Sequence, residues 1–155
     1  MRTGGGGSTS IWEVYVNSGS SWNAPVKWWN NAPVDARLDY PNVRLVDVNG
    51  DNLPDIVKTS ANGMLATWEV YKNSGFHWTP AIEHWLHNAS VDAHLAKGNV
   101  TLTDINADGL ADIVRGTDNF GIADTWEVLL NKGNRWETTW QTWIAPASNV
   151  ELDLR

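Results

Sequence analysis

An internal repeat limits what this chain can fold into more than any other feature of its sequence. The run that begins Trp12-Glu13-Val14 returns at Trp68-Glu69-Val70 and at Trp126-Glu127-Val128, spaced by 56 and then 58 residues. A second tryptophan follows each run ten residues after the first; these are Trp22, Trp78 and Trp136. Units that recur in tandem stack on their neighbours, because one unit alone cannot bury its apolar face.

Each unit is predicted to form four short antiparallel β-strands, named a, b, c and d in chain order. The segments are rich in Val, Ile, Thr, Trp and Tyr, and Asn-Ser-Gly or Asn-Lys-Gly closes strand c as a hairpin turn. A four-stranded unit repeated in tandem is typical of a β-propeller blade. The predicted strands are a at 43–48 and 100–105, b at 55–59 and 112–116, and c from Trp12, Trp68 and Trp126, with the remaining tryptophans on d.

An acidic nine-residue loop joins strand a to strand b in both full units. Each copy reads D-x-N-x-D-x-x-x-D, at 47–55 and at 104–112. Oxygen ligands at this spacing can converge on one point and suit calcium. Position 6 is Asn52 or Gly109, and both residue types tolerate a left-handed turn, so the loop with glycine is expected to be the better site. The predicted ligands are the side chains of Asp47, Asn49, Asp51, Asp55, Asp104, Asn106, Asp108 and Asp112 and the carbonyls of Leu53 and Leu110.

A purely structural interpretation of these loops is also open. Asp and Asn side chains shape tight turns by accepting hydrogen bonds from nearby backbone amides. Three carboxylates within nine residues would repel one another without a cation, and this favours calcium. The ion is then expected to rigidify the turn rather than to take part in chemistry.

Strand a, the acidic loop and strand b together form a longer motif. It reads V-x-L-x-D-x-N-G-D-x-x-x-D-I-V at 43–57, and an equivalent run starts at Val100. This motif resembles the FG-GAP/VCBS repeat family, which includes integrin alpha-chain propellers and fungal lectins of the Psathyrella type. The resemblance implies an all-β propeller whose a–b loops often hold calcium. It does not select one function, because the family spans adhesion, sugar binding and scaffolding.

We expect one domain built from repeats, with a half repeat at 1–42 and full repeats at 43–99 and 100–155. A closed propeller typically needs four to eight blades, and this chain supplies about two and a half. An open stack would expose apolar faces and unpaired strand edges, which favours association. We therefore expect that the ring is completed by a homo-oligomer, or by a longer parent chain of which this is a natural fragment or an engineered piece.

Composition excludes several classes of partner and chemistry. The net charge of −7 opposes binding to the phosphates of nucleic acids. There is no cysteine, so disulfides and thiolate chemistry are excluded. No apolar run approaches the ~20 residues that a membrane-spanning helix needs, and no signal peptide is expected in this chain, because residues 1–10 lack an apolar segment. An extracellular or cell-surface location is expected from the resemblance.

Tryptophan is the remaining compositional signal, with 11 copies against 2 phenylalanines. Large aromatic rings bury the most area, so Trp12, Trp68 and Trp126 are expected between the sheets. Other indoles could lie half exposed in grooves between blades, where a ring face stacks on a sugar. These candidate ligand-binding residues are Trp22, Trp28, Trp78, Trp85, Trp136 and Trp143.

No pattern in the sequence predicts an enzyme. Glu13, Glu69 and Glu127 recur beside tryptophan, which suggests a structural bond or a repeated binding site rather than catalysis. His84 and His87 are three apart on a predicted strand and are expected on opposite faces. The sequence thus predicts a calcium-binding recognition module with glycan as its first ligand. The alternative is a non-catalytic adhesion or scaffold module of a larger surface or toxin protein.

Overall fold

A computed structural model of the protein describes residues 2–4, 9–33, 35–119 and 122–144. The strands are β1 (Arg2–Gly4), β2 (Thr9–Val14), β3 (Val26–Pro33), β4 (Val43–Val46), β5 (Asp55–Asn62), β6 (Leu65–Tyr71), β7 (Glu83–Ser90), β8 (Val100–Thr103), β9 (Asp112–Asn119), β10 (Ile122–Leu129) and β11 (Gln141–Ile144), with a 3₁₀ turn at Val91–Ala93. They form three antiparallel sheets: sheet 1 (β1–β3), sheet 2 (β4–β7) and sheet 3 (β8–β11). No helix in the described ranges is long and apolar enough to cross a membrane.

Sheets 2 and 3 are four-stranded units in the predicted order a-b-c-d. Their inner registers match, since Val43 pairs with Lys58 and Val100 pairs with Arg115. The predicted all-β fold of blade-like sheets is therefore confirmed. Strand b of sheet 2 runs three residues beyond its predicted end, to Asn62, because a tight turn with Gly63 at φ 63° leads directly into strand c.

Sheet 1 contains one strand more than the two expected of a half repeat. The short strand β1 pairs with β2 and sets Arg2 opposite Glu13, as Lys58 lies opposite Glu69 in sheet 2. This strand therefore occupies the position of strand b. In the described part of the chain no strand pairs with the other edge of β1, where sheets 2 and 3 carry strand a.

Tryptophans fill the spaces between consecutive sheets. Trp12 of sheet 1 packs on Trp78 of sheet 2, with ring centroids 5.1 Å apart. In the same way Trp68 of sheet 2 packs on Trp136 of sheet 3, at 5.4 Å. All four rings are essentially buried. Tilted ring pairs at these distances stabilise a core beyond the area that they bury, so each sheet depends on its neighbour.

Trp126 is the exception among the three tryptophans that were expected in the core. Trp12 and Trp68 are fully buried, whereas Trp126 is only partly buried. The reason is its place in the stack, because the described residues contain no fourth sheet to cover that face of sheet 3. The prediction was correct for the first two and wrong for the third.

Candidate functional site

The first acidic loop is closed by hydrogen bonds between its own side chains and backbone. Asp47 Oδ1 accepts from the Gly50 amide at 2.8 Å, and its Oδ2 accepts from the Asn52 amide at 2.7 Å. Asp51 Oδ1 accepts from the Leu53 amide at 2.8 Å. The side-chain amide of Asn49 donates to Asp51 Oδ2 at 3.0 Å. These bonds hold the three side chains at positions 1, 3 and 5 around one turn.

The second loop repeats this pattern almost bond for bond. Asp104 Oδ2 accepts from the Gly109 amide at 2.8 Å, and Asp108 Oδ1 accepts from the Leu110 amide at 2.9 Å. The Asn106 side-chain amide donates to Asp108 Oδ2 at 3.0 Å. The repeat therefore extends from sequence to the individual contacts of the turn.

Both loops need two left-handed residues, at positions 4 and 6. At position 6, Asn52 and Gly109 have φ of 65° and 87°, which confirms the predicted conformation. At position 4 the first loop has Gly50 at φ 80°, but the second has Ala107 at φ 64°. A Cβ in this region costs about 1–2 kcal/mol. The sequence pattern treats position 4 as unconstrained, so this strain could be found only from the backbone.

The carboxylates at position 9 are buried and tie each loop to the rest of its sheet. Asp55 Oδ1 accepts from the Asn73 amide at 2.8 Å, and its Oδ2 accepts from the Val48 amide at 3.3 Å. Burial raises the pKa of Asp55 to about 6, although these two hydrogen bonds act in the opposite direction. Asp112 is held in the same way, by the amides of Asn131 and Ile105, and burial also raises its pKa.

The donor set of each loop fits calcium in its chemistry. The side chains at positions 1, 3, 5 and 9 supply only hard oxygens, and a carboxylate oxygen that accepts one amide keeps a second lone pair for a cation. In this structure, however, those oxygens are turned towards backbone amides. Among the described residues no group of three or more His, Cys, Asp or Glu side chains is arranged to hold a metal ion. Calcium binding by these loops therefore stays a prediction.

The leucines at position 7 place the two loops side by side. A Cβ built on Gly50 would lie 3.2 Å from Leu110 Cδ2, so the second loop packs on the first. A Cβ built on Gly75, in the c–d turn of the same sheet as Leu53, would lie 3.9 Å from Leu53 Cδ1. The backbone carbonyls of Leu53 and Leu110 were predicted as metal ligands, and that role stays a prediction. The side chains have a packing role that the sequence did not reveal.

The candidate sugar-stacking tryptophans separate into two groups. Trp78, Trp85 and Trp136 are at most 4 % exposed, so the interpretation of these three as stacking surfaces was wrong. They are buried because the next or preceding sheet covers them, as the contact between Trp85 and Trp136 at 5.2 Å illustrates. Accessible indoles remain at Trp22 (67 % exposed) and Trp143 (37 %), and in part at Trp28.

The glutamates that recur beside tryptophan form ion pairs across neighbouring strands. Lys58 Nζ lies 2.9 Å from Glu69 Oε2 and also 2.8 Å from Asp35 Oδ2 of sheet 1's C-terminal connection. In sheet 3, Arg115 and Glu127 form the equivalent pair at 2.6 Å. The structural interpretation of these glutamates is thus supported in both full units. The link from Asp35 to sheet 2 was not predicted, because it joins residues 23 positions apart.

His84 and His87 share one side of β7 instead of lying on opposite faces. Their ring centroids are 4.8 Å apart, and both side chains are exposed. The register of β7 against β6 shifts twice around Trp68, and Asn88 adopts φ 55°. These bulges change the alternation of side chains, so the expectation from strand geometry was wrong.

A surface cavity of about 400 Å³ lies at the c–d turn of sheet 3. It is lined by Arg135, Trp136, Glu137, Thr138 and Thr139. The Trp136 ring is fully buried, so the exposed lining consists of a guanidinium, a carboxylate and two hydroxyls. Lys132 Nζ fixes the carboxylate of Glu137 at 2.9 Å, and this ion pair lowers the pKa of that carboxyl.

The comparison with known families agrees with the geometry of the loops and sheets. A family model described as an FG-GAP-like repeat matches residues 47–115, from the first aspartate of loop one to the ion-pairing arginine of β9. This segment is similar to FG-GAP-like repeats. The match includes both acidic loops and all of sheet 2 from strand b onwards, and it confirms the resemblance. The FG-GAP-like repeat and the blade-like sheets together make the chain a β-propeller-like module. No curated protein and no solved structure matched the chain.

Proposed function

We propose that this chain is a non-catalytic recognition module, extracellular or on the cell surface, that binds calcium in its two a–b loops and carbohydrate as its first ligand class. The observation that supports calcium is the duplication of one loop geometry. Two turns with different residues at positions 4 and 6 reach the same backbone and gather the same Asp, Asn and Asp oxygens. Three carboxylates within nine residues also repel one another unless a cation is present.

Calcium in this proposal acts on stability. The ion neutralises the charge of the loop and fixes the a–b turn against the c–d turn, to which the position-9 carboxylate already connects it. A ligand at about 100 times its Kd stabilises the folded state by ~2.7 kcal/mol per site. We therefore expect a higher Tm in calcium than in chelator, and heat release on calcium titration by calorimetry.

The variant that tests the loop is Asp108→Asn, which keeps an oxygen for the Leu110 amide but removes one charge. We expect it to weaken calcium binding by at least about tenfold, since a charged ligand at a hard-cation site contributes more than about 1.4 kcal/mol. Asp39→Asn is the matched control, because Asp39 is exposed, lies outside the loops and pairs with Arg37. The calcium proposal would be disproved if the wild type and the Asp39→Asn control both had the same Tm in calcium and in chelator and gave no heat on calcium titration.

Carbohydrate is supported by the chemistry of the accessible surface. The open depression at 135–139 offers hydroxyl, carboxylate and guanidinium groups to a ligand rich in hydroxyls. The test is a glycan array probed in calcium and again in chelator. Binding to a defined set of sugars that is lost in Arg135→Ala supports this site. A blank array from folded protein would refute carbohydrate binding.

The burial of the tryptophans favours a second candidate, an adhesion or scaffold module that recognises protein. Three of the six indoles considered for sugar stacking instead seal the sheets together. A blank array combined with capture of a protein surface ligand would select this candidate. In either case we propose no catalysis, since Glu69 and Glu127 are engaged in ion pairs. Partners are then a glycan or protein surface, without nucleic acid or membrane insertion, and further copies or repeats that complete the ring.

A further inference from the structure

The contact between consecutive sheets follows one rule in this chain. A tryptophan on strand c of one sheet meets the tryptophan after the c–d turn of the next, as Trp12 meets Trp78 and Trp68 meets Trp136. On the first of these contacts, Trp29 on strand d also meets Tyr71 on strand c of the next sheet, at 4.7 Å. Every sheet thus has a front face and a back face that are complementary.

The two ends of the stack present one unmatched half of this contact each. At the sheet 1 end, Trp22 takes the position of Trp78 and is 67 % exposed, whereas Trp78 is 1 % exposed. At the sheet 3 end, Trp126 and Trp143 pair across β10 and β11 and so share a face. Trp143 is 37 % exposed where its counterpart Trp29 is 7 % exposed. Large apolar side chains grouped in this way are typical of an interaction surface.

The edge of β1 is a second, independent sign of a missing neighbour. In sheets 2 and 3 strand a begins with an Asn-Val-x-Leu run, and the asparagine of this run forms two hydrogen bonds with one residue of strand b. Asn42 Nδ2 donates to Thr59 O at 2.6 Å while Thr59 N donates to Asn42 O at 3.0 Å. Asn99 makes the same two bonds with Gly116. Thr3 of β1 occupies the position of Thr59, and the structure describes no strand on that side.

We propose that two copies of this chain associate head to tail, so that sheet 1 of each copy docks on sheet 3 of the other. Trp22 then packs on Trp126, and Tyr15 packs on Trp143. Each copy brings three sheets in the described part of the chain. Two copies therefore bring six, which lies within the four to eight of closed propellers, whereas one copy or three would not. The inference needs neither calcium nor a sugar ligand.

The first experiment measures the mass of the 155-residue chain by light scattering at micromolar concentration. We expect twice the protomer mass of 17.2 kDa. Trp22→Ser and Trp143→Thr are each expected to weaken the dimer by at least roughly 30-fold per contact, because buried tryptophans dominate interfaces. The matched control is Phe76→Ser, since Phe76 is 82 % exposed at the equivalent turn of sheet 2 and sheet 1 has serine there. Circular dichroism checks that each variant is folded.

Comparing the two variants tests the geometry. In a head-to-tail pair each contact contains Trp22 of one copy and Trp143 of the other, so each variant alone weakens both contacts. A variant that stays dimeric on its own would overturn the head-to-tail arrangement, and a monomeric wild type would overturn the proposal altogether.

Discussion

The asparagine that closes each c–d turn gives a graded test of how the repeats hold together. Asn17, Asn73 and Asn131 occupy the same position in sheets 1, 2 and 3. The side chain of Asn17 accepts one described bond, from the Gly19 amide at 2.7 Å, and is exposed. Asn73 is 5 % exposed and makes two side-chain bonds, with the Gly75 amide and Pro54 O. The perturbation is substitution of each asparagine by alanine.

Asn131 makes three side-chain bonds and is 2 % exposed. Its oxygen accepts from the Gly133 amide, and its Nδ2 donates to Ala111 O at 3.0 Å and to Val48 O at 2.8 Å. The bond to Val48 is the important one, because it joins sheet 3 to sheet 2. Ala111 O also accepts a hydrogen bond from the Trp136 ring nitrogen at 3.0 Å. Loss of the bond between Asn131 and Ala111 O is therefore partly compensated.

A net contribution of about 1 kcal/mol per hydrogen bond gives the expected order. Asn17→Ala should lower the free energy of unfolding by less than about 1 kcal/mol, Asn73→Ala by about 2 and Asn131→Ala by about 3. Urea unfolding followed by far-ultraviolet circular dichroism measures all three, with equal m values as the check that one cooperative transition is compared. Equal losses for the second and third variants would refute the role of the inter-sheet bond. A largest loss at Asn17 would refute the reasoning from burial.

Two further predictions concern single residues. Ala107→Gly should raise the free energy of unfolding by about 0.5–1 kcal/mol, since it removes the left-handed strain. Gly50→Ala should lower the free energy of unfolding by more than about 1 kcal/mol. Thermal unfolding with chelator present distinguishes these outcomes from no change. Lys58→Ala should lower the free energy of unfolding by about 3–5 kcal/mol, because the substitution leaves Glu69 buried without its partner. Lys97 is exposed, so Lys97→Ala should change the free energy of unfolding by less than about 0.5 kcal/mol. Similar losses for both variants would contradict the assignment of Lys58 and Glu69 as a buried ion pair.

The sequence predicted those parts of the fold that depend on local pattern. The spacing of the repeat located the a–b loops and the order of the strands, and the motif at 43–57 revealed the resemblance that the FG-GAP-like match at 47–115 supports. The side chain of Asn52 revealed a left-handed turn, because asparagine tolerates it. Ala107 gave no such signal, since alanine is common everywhere, and only the equivalence of the two turns shows that it is strained.

The sequence could not show which neighbouring sheet covers each face of a given sheet. Trp78 and Trp22 have the same local surroundings in sequence, yet one is 1 % and the other 67 % exposed. The difference lies in the sheet that precedes each of them, which is not a local property. The bulges of β7 are a similar case, because they depend on how that strand passes the bulky Trp68 and bring two histidines together.

The two uses considered for the tryptophans compete with each other. A ring that seals the contact between sheets has no face left for a sugar, and this already applies to Trp78, Trp85 and Trp136. The rings that remain most accessible, Trp22 and Trp143, lie at the ends of the stack, where a second copy would cover them. If the dimer forms, sugar recognition must therefore rest on the polar cavity at 135–139 or on the partly accessible Trp28. If the chain is monomeric, Trp22 is the first ring to test for stacking, and a sugar that binds there would hinder association. The oligomeric state thus decides where ligand recognition can occur.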